Sequence, residues 1–236
     1  MSYKKDILIF ILINLVFLLV GIKSYRNTYK IWRWKRNLGI PKHLKHFNSL
    51  VQDANGFAIS KAARKDIDAP EYTYGEITFT SFIALLSQVN PNKNTVFYDL
   101  GSGVGKANIA CAMIFDIKKN IGIEIFKELQ SASLRLKKRL LSHPKYSNSA
   151  KKISFINGNY LNYDFSDANL IFINATGLFG GTWVALNKKL DELTEEVIVI
   201  TTTKCLISKK FYIKKETRLE MSWGVVNAFI HAPAPK

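Results

Sequence analysis

The sequence predicts an α/β protein, a doubly wound sheet of about seven strands closing in a C-terminal antiparallel hairpin, preceded by an N-terminal membrane-anchor helix. Three observations carry this. From about residue 77 the hydrophobic pattern alternates between strand and helix periods. A glycine-rich turn, "DLGSGVG", follows the first strand of that region. An apolar run, "ILIFILINLVFLLVGI", opens the chain from Ile7 to Ile22. The 236 residues suffice for one ordinary domain plus an appendage. The division expected is residues 1–40 as anchor and basic segment, 41–76 as lead-in and lid loop, and 77–236 as the main domain.

The apolar run is short for a spanning helix, and a run of this length also suits a signal-peptide core or a buried helix. Bulky residues to its end, no small-residue cleavage site and a strongly basic sequel favour an uncleaved anchor. Lys4 and Lys5 precede it, whereas Lys23, Arg26, Lys30, Arg33, Lys35 and Arg36 follow, which puts the C-terminal part on the cytoplasmic side. Tyr25, Tyr29, Trp32 and Trp34 alternate with these cations, so residues 23–36 fit a headgroup layer. Residues 1–70 hold 13 Lys/Arg against 4 Asp/Glu and residues 71–236 hold 21 against 14, so the +16 charge is concentrated in the shorter part. Membrane therefore explains the basicity better than nucleic acid does. Gly39 and Pro41 end the segment. His43 and His46 lack a third ligand and read as surface residues, leaving no metal site, and Cys111 and Cys205 are too few for a disulfide framework.

In the main domain, "ITFTSFIALLSQV" puts Phe79, Phe82, Ile83, Leu86 and Val89 on one helical stripe before the stop "NPNKN". "VFYDL" is a strand and Gly105 to Phe115 a helix. "IGIEI" is a second strand, followed by a helix from Lys127 to about Leu141. "KISFIN", "NLIFIN" and "EVIVITT" are three further buried strands, with a helix around Trp183 to Leu193 before the last. Two strands joined around Gly224 complete the pattern.

The ligand of such a sheet lies beyond the strand C-termini at the switch point, where the first strand ends at Asp99. Glycines 101, 103 and 105 around Ser102 do not fit the dinucleotide fingerprint, whose third glycine would fall at Lys106. They resemble the acidic G-x-G-x-G turn of class I S-adenosylmethionine methyltransferases, in which the backbone approaches the ligand and the position of Asp99 meets its ammonium end. Glu124, at the tip of the second strand, can accept both hydroxyls of a ribose. Asn159 and Tyr160 stand where that superfamily contacts adenine, although a turn asparagine beside a core aromatic reads equally well.

"YTYGEITF", "FYDLGSGVGKA", "IGIEI", "GNYL", "LIFINATGLFG" and "MSWGVVNAFIHA" occur in the order of the landmarks of the disruptor-of-telomeric-silencing (Dot-one) family, which this chain resembles from about Tyr72 to Ala232. Its members are histone lysine methyltransferases on the class I fold. The resemblance implies S-adenosyl-L-methionine as cofactor and a loop of Tyr74, Gly75 and Glu76 closing over its amino-acid end. It also implies Asn174 lining a channel for the incoming lysine, with Phe179 and Phe229 near that channel. The chain departs from the family at Ala175, Ala228, Lys106 and Asn159, so a protein lysine, rather than a histone in particular, is the expected substrate. Asn174 and Glu76 are expected to position the reactants and no general base is assigned. A monomer is expected. A membrane-proximal small molecule, lipid or quinone precursor is the alternative acceptor, and a tethered lipid- or nucleic-acid-binding module the non-enzymatic alternative.

Overall fold

The computed structural model describes residues 2–65, 72–193 and 196–234, and for residues 2–11 and 13–19 the backbone alone. The chain divides into two compact units, residues 1–43 and 44–236.

The first unit is dominated by α1 (Ser2–Asn37), which carries the apolar run and the basic aromatic segment in one helix of 36 residues. Most side chains of that run, with Lys4 and Lys5, lie outside the described residues, and among those described no helix is long and apolar enough to cross a membrane. Tyr25 and Trp32 are exposed, Trp32 stacks on Tyr29 at 5.8 Å, and the Arg36 guanidinium lies 5.2 Å from the Trp32 ring centre. These contacts follow from three- and four-residue spacing on a helix. Gly39, at φ +61°, ends the helix as expected. Pro41 then takes the second position of α2 (Ile40–Val51), where a missing N–H costs nothing, so the proline opens a helix and does not merely close one.

The second unit holds a seven-stranded sheet in the order β3-β2-β1-β4-β5-β7-β6. Its strands are β1 (Val96–Leu100), β2 (Lys119–Glu124), β3 (Ile153–Asn157), β4 (Leu170–Ile173), β5 (Ile198–Thr202), β6 (Phe211–Met221) and β7 (Gly224–Pro233). The first five are parallel, and β7 enters antiparallel to β5. Helices α3 (Gly56–Ala63), α4 (Phe79–Leu86), α5 (Lys106–Ile114), α6 (Lys127–Leu141), α7 (Ser147–Lys151) and α8 (Gly180–Asp191) complete the unit. Helix α3, and α2 from Pro41 on, lie within the segment 41–76 read as lead-in and lid loop, and α7 follows the stretch read as the end of α6.

Strand period two assigns the sheet faces. Tyr98, Leu100, Ile171, Ile173 and Val199 pack with Trp183, Leu186 and Leu190 of α8. Phe97 and Phe172 turn the other way and meet Phe82 of α4 at 6.2 and 5.2 Å between ring centres. Thr78 caps α4 by accepting from the Ser81 N–H. The switch point lies between β1 and β4, which run in parallel from the sheet centre while their connections depart to opposite sides. His43 is buried on α2, contrary to a surface reading, whereas His46 is exposed with its ring against His143. Among the described residues no group of three His, Cys, Asp or Glu could hold a metal.

Candidate active site

A cavity opens at the C-terminal ends of β1, β2 and β4. Its wall includes Tyr74, Gly75, Glu76, Asp99, Gly101, Ser102, Gly103, Glu124, Asn159, Tyr160 and Asn174. These come from segments up to 100 residues apart, brought together because parallel strands all deliver their ends to one edge.

The glycine turn is built from left-handed backbone. Gly101, Gly103 and Gly105 have φ of +87°, +56° and +78°, which side-chain-bearing residues rarely adopt. Their surroundings differ. A side chain at Gly101 would meet nothing within 4 Å, leaving the backbone bare toward the cavity. At Gly103 a Cβ would lie 2.7 Å from the Tyr74 ring, and at Gly105 it would lie 2.4 Å from Phe155. Gly105 thus allows α5 to close on β3 and is not itself among the residues of the cavity wall. Ser102 Oγ is buried with no hydrogen-bond partner among the described residues, an orphan polar atom in the wall.

Glu124 is 6% exposed. Its Oε2 accepts the Gly103 N–H at 2.8 Å and its Oε1 the Phe126 N–H at 2.9 Å. Each oxygen retains a second acceptor direction, so the carboxylate is held in place and can still receive a diol. Burial raises its pKa, opposed by backbone N–H donors from Phe126, Gly103 and Ile125. Asp99, 3% exposed, is pushed up to about 8, first by burial and then by the nearby Glu124 charge. Two buried acids on one wall favour a cationic ligand.

The Tyr74 loop explains itself in space. The Tyr74 ring fills the room left by Gly103 and Gly56, lies edge-on to Phe57 at 5.2 Å, and donates its hydroxyl to Glu76 Oε1 at 2.7 Å. Burial, then the Glu76 charge, raises its pKa well above the usual phenol value. Glu76 Oε2 pairs with Lys106 Nζ at 2.7 Å, so the lysine that displaces the dinucleotide glycine supplies the counter-charge of the loop. Gly75 accommodates the Trp223 ring, which a Cβ would meet at 2.0 Å. Ser222 N–H donates to Glu76 O at 2.8 Å, and Ile77 bridges to Met221. The hairpin of β6 and β7 therefore pins the loop. Trp223 and Ser222 were not singled out from sequence, and the motif "MSWG" was their only trace.

Asn174 staples three segments. It donates to Gly75 O at 3.1 Å and accepts from Thr176 at 3.0 Å and Thr202 at 2.7 Å. Asn159 Oδ1 accepts the Leu161 N–H at 2.9 Å, capping the short turn Tyr160–Asn162, so it does the work of a turn asparagine while lining the cavity. Phe179 is half exposed at the start of α8, beside the wall residue Leu178 but outside the wall itself. Phe229 is buried in β7 opposite Thr201 and likewise is not among the wall residues.

A donor with a ribose and an ammonium end fits these residues by the free acceptor directions of Glu124, the bare backbone at Gly101 and the orphan Ser102 hydroxyl. Comparison with known proteins points the same way. The chain is 29% identical over 147 residues to a histone-lysine N-methyltransferase, H3 lysine-79 specific, of Caenorhabditis elegans, covering 58% of this chain and 15% of that protein. It is 36% identical over 84 residues to the Drosophila melanogaster protein of the same description, covering 36% of this chain and 4% of the other. The chain thus spans a small fraction of the length of these relatives. An RNA methyltransferase of Salinibacter ruber, solved with S-adenosyl-L-homocysteine, shares the fold at a TM-score of 0.51 and 20% identity, over 66% of this chain and 92% of its own. Residues 63–225, from the end of α3 through the pinned loop, the glycine turn and all but the last strand, match the family described as histone methylation protein DOT1, and the chain belongs to that family.

Proposed function

We propose that this protein transfers the methyl group of S-adenosyl-L-methionine to a lysine side chain of a protein. The observation that carries the reading is Glu124, a buried carboxylate fixed by two backbone N–H groups at the rim of the sheet with acceptor capacity turned to the cavity. Membership of the DOT1 family supports it. The acceptor class is drawn from the curated relatives, whose descriptions specify histone lysine.

In this reading Glu124 takes the ribose diol, Asp99 faces the ammonium end, and the bare backbone of Gly101 lets the donor lie close. Tyr74, Gly75 and Glu76 close over its amino-acid portion, held by Trp223 and Asn174. Transfer is an in-line displacement at the sulfonium methyl, and the acceptor must lose its proton from a group whose ordinary pKa is about 10.4. Alignment and exclusion of water carry most of the rate, with Asn174 and Glu76 as positioning residues.

The test is calorimetric titration with S-adenosyl-L-homocysteine. The wild type is expected to bind and Glu124→Ala to lose at least tenfold in affinity while keeping its thermal transition; unchanged affinity would refute the assignment. Labelled donor added to cell lysate is expected to mark protein bands, and label confined to solvent-extractable material would move the acceptor to a small molecule.

We further propose that residues 7–22 anchor the protein in a membrane with the second unit facing the cytoplasm, and that residues 23–36 lie at the headgroups. The apolar run, the cation excess behind it and the exposed aromatics of α1 support this. Extraction of membranes at alkaline pH is expected to leave the chain in the pellet, and release would argue against an anchor.

A further inference from the structure

Lys204 follows β5, at the same sheet edge as the cavity. It is delivered there by an uncommon backbone: Thr203, β-branched, has φ +67°. That turn is held by the Thr203 N–H to Asn227 O at 2.7 Å and by its hydroxyl 2.8 Å from that of Thr176. Strain of this kind persists where the surroundings over-determine it, and it clusters at functional sites.

The turn throws the Lys204 side chain back over the start of α8. Its Nζ lies 3.3 Å from the centre of the Phe179 ring and donates to the carbonyl of Leu178, a residue of the cavity wall. Leu178 and Thr182, on either side of Phe179, both line the cavity, as does Asn174 just upstream. An alkylammonium is thus already seated against an aromatic face at the cavity edge.

Lys106 lines this cavity while Lys204 rests on the carbonyl of its wall residue Leu178, and the partners of the two lysines differ. Lys106 Nζ is committed to the Glu76 carboxylate at 2.7 Å. Lys204 makes no ion pair among the described residues, and desolvation lowers its pKa. A ring face attracts a cation but does not fix its proton as a carboxylate would. Of the two, Lys204 is therefore the one whose amine no carboxylate engages among the described residues.

We propose that Lys204 is a self-methylation site, with the protein's own amine as an acceptor for the donor bound in the same chain. The inference rests on the reading of the cavity as a methyl-donor pocket. The ammonium releases a proton to solvent and the Nζ lone pair forms the new N–C bond. The S–C bond breaks with its electron pair retained on sulfur, leaving the neutral thioether S-adenosyl-L-homocysteine. The product suits its surroundings, because methylated ammonium groups are held well by aromatic faces. Full methylation would remove the N–H that Leu178 accepts and loosen the loop from the cavity wall.

The experiment is incubation of the purified full-length chain with methyl-labelled S-adenosyl-L-methionine, followed by proteolysis and peptide mass spectrometry. Label is expected on the peptide carrying Lys204, at a rate per molecule independent of protein concentration. It is expected to vanish from that peptide in Lys204→Arg and to fall at least several-fold in Phe179→Ala. An unlabelled Lys204 in a chain that binds S-adenosyl-L-homocysteine overturns self-methylation and leaves the donor pocket standing. Failure to bind S-adenosyl-L-homocysteine overturns both. A rate per molecule that rises with protein concentration overturns transfer within one chain.

Discussion

Tyr74 reaches its place because Gly103 and Gly56 have no side chains, and that single steric fact orders the loop above the cavity. Gly103→Ala would force a Cβ to within 2.7 Å of the Tyr74 ring at φ +56°. The backbone penalty alone is about 1–2 kcal/mol. The expected outcome is a lowered melting temperature together with weaker S-adenosyl-L-homocysteine binding, measured by thermal melt and calorimetry. Asp99 gives the pH dependence. With its folded pKa raised to about 8, the empty protein holds a proton there that the unfolded chain has already released. The stability this group contributes is complete below the ordinary carboxylate range and is lost as pH rises toward 8. A cationic donor prefers the carboxylate, so its affinity should climb as pH rises to about 8 and then level. Titrations from pH 6 to 9 should record proton release on binding below pH 8, and Asp99→Asn should flatten the profile.

Two elements set the rigidity of the site. Helix α4 is fastened by the Thr78 cap and by Phe82 between Phe97 and Phe172. Phe82→Ala, at a fully buried position, is expected to cost about 3–5 kcal/mol in a denaturant melt. The hairpin of β6 and β7 holds the Tyr74 loop from the other side through Trp223, Ser222 and the Ile77 bridge. Trp223→Ala is expected to speed amide hydrogen exchange at residues 75–78 and weaken donor binding while leaving exchange in β1 and β4 unchanged. Strand β6 also closes the sheet as an edge, and Lys214, Lys215 and Arg218 along it discourage further strand pairing.

At the scale of the molecule, every residue of the cavity wall belongs to the second unit, and α1 belongs to the first. Deleting residues 1–37 is therefore expected to leave S-adenosyl-L-homocysteine affinity within about twofold while abolishing the membrane association proposed for residues 7–22, read by titration and flotation. Much was legible in the residue order. The strands and helices from Phe79 onward, α7 apart, follow from periods that are local properties of the chain, and left-handed turns announce themselves as glycines because other residues avoid them. Glu124 and Asp99 could be singled out because a parallel strand places its last residues at the ligand edge. Other features needed the folded chain. The pairing of Lys106 with Glu76, the seat of Trp223 on Gly75, the Asn174 staple and the Lys204 ammonium over Phe179 join residues that sequence separates by up to 148 positions. The close approach of Gly105 to Phe155 and the pairing of Phe229 with Thr201 are likewise set by helix closure and strand register. From Phe79 onward the sequence by itself determined all the strands, the glycine turn and every α-helix but α7, because backbone preference and periodicity act over a few residues. The tertiary structure alone decided which side chains meet at the cavity, because strand order and register are settled by competition among distant surfaces for burial.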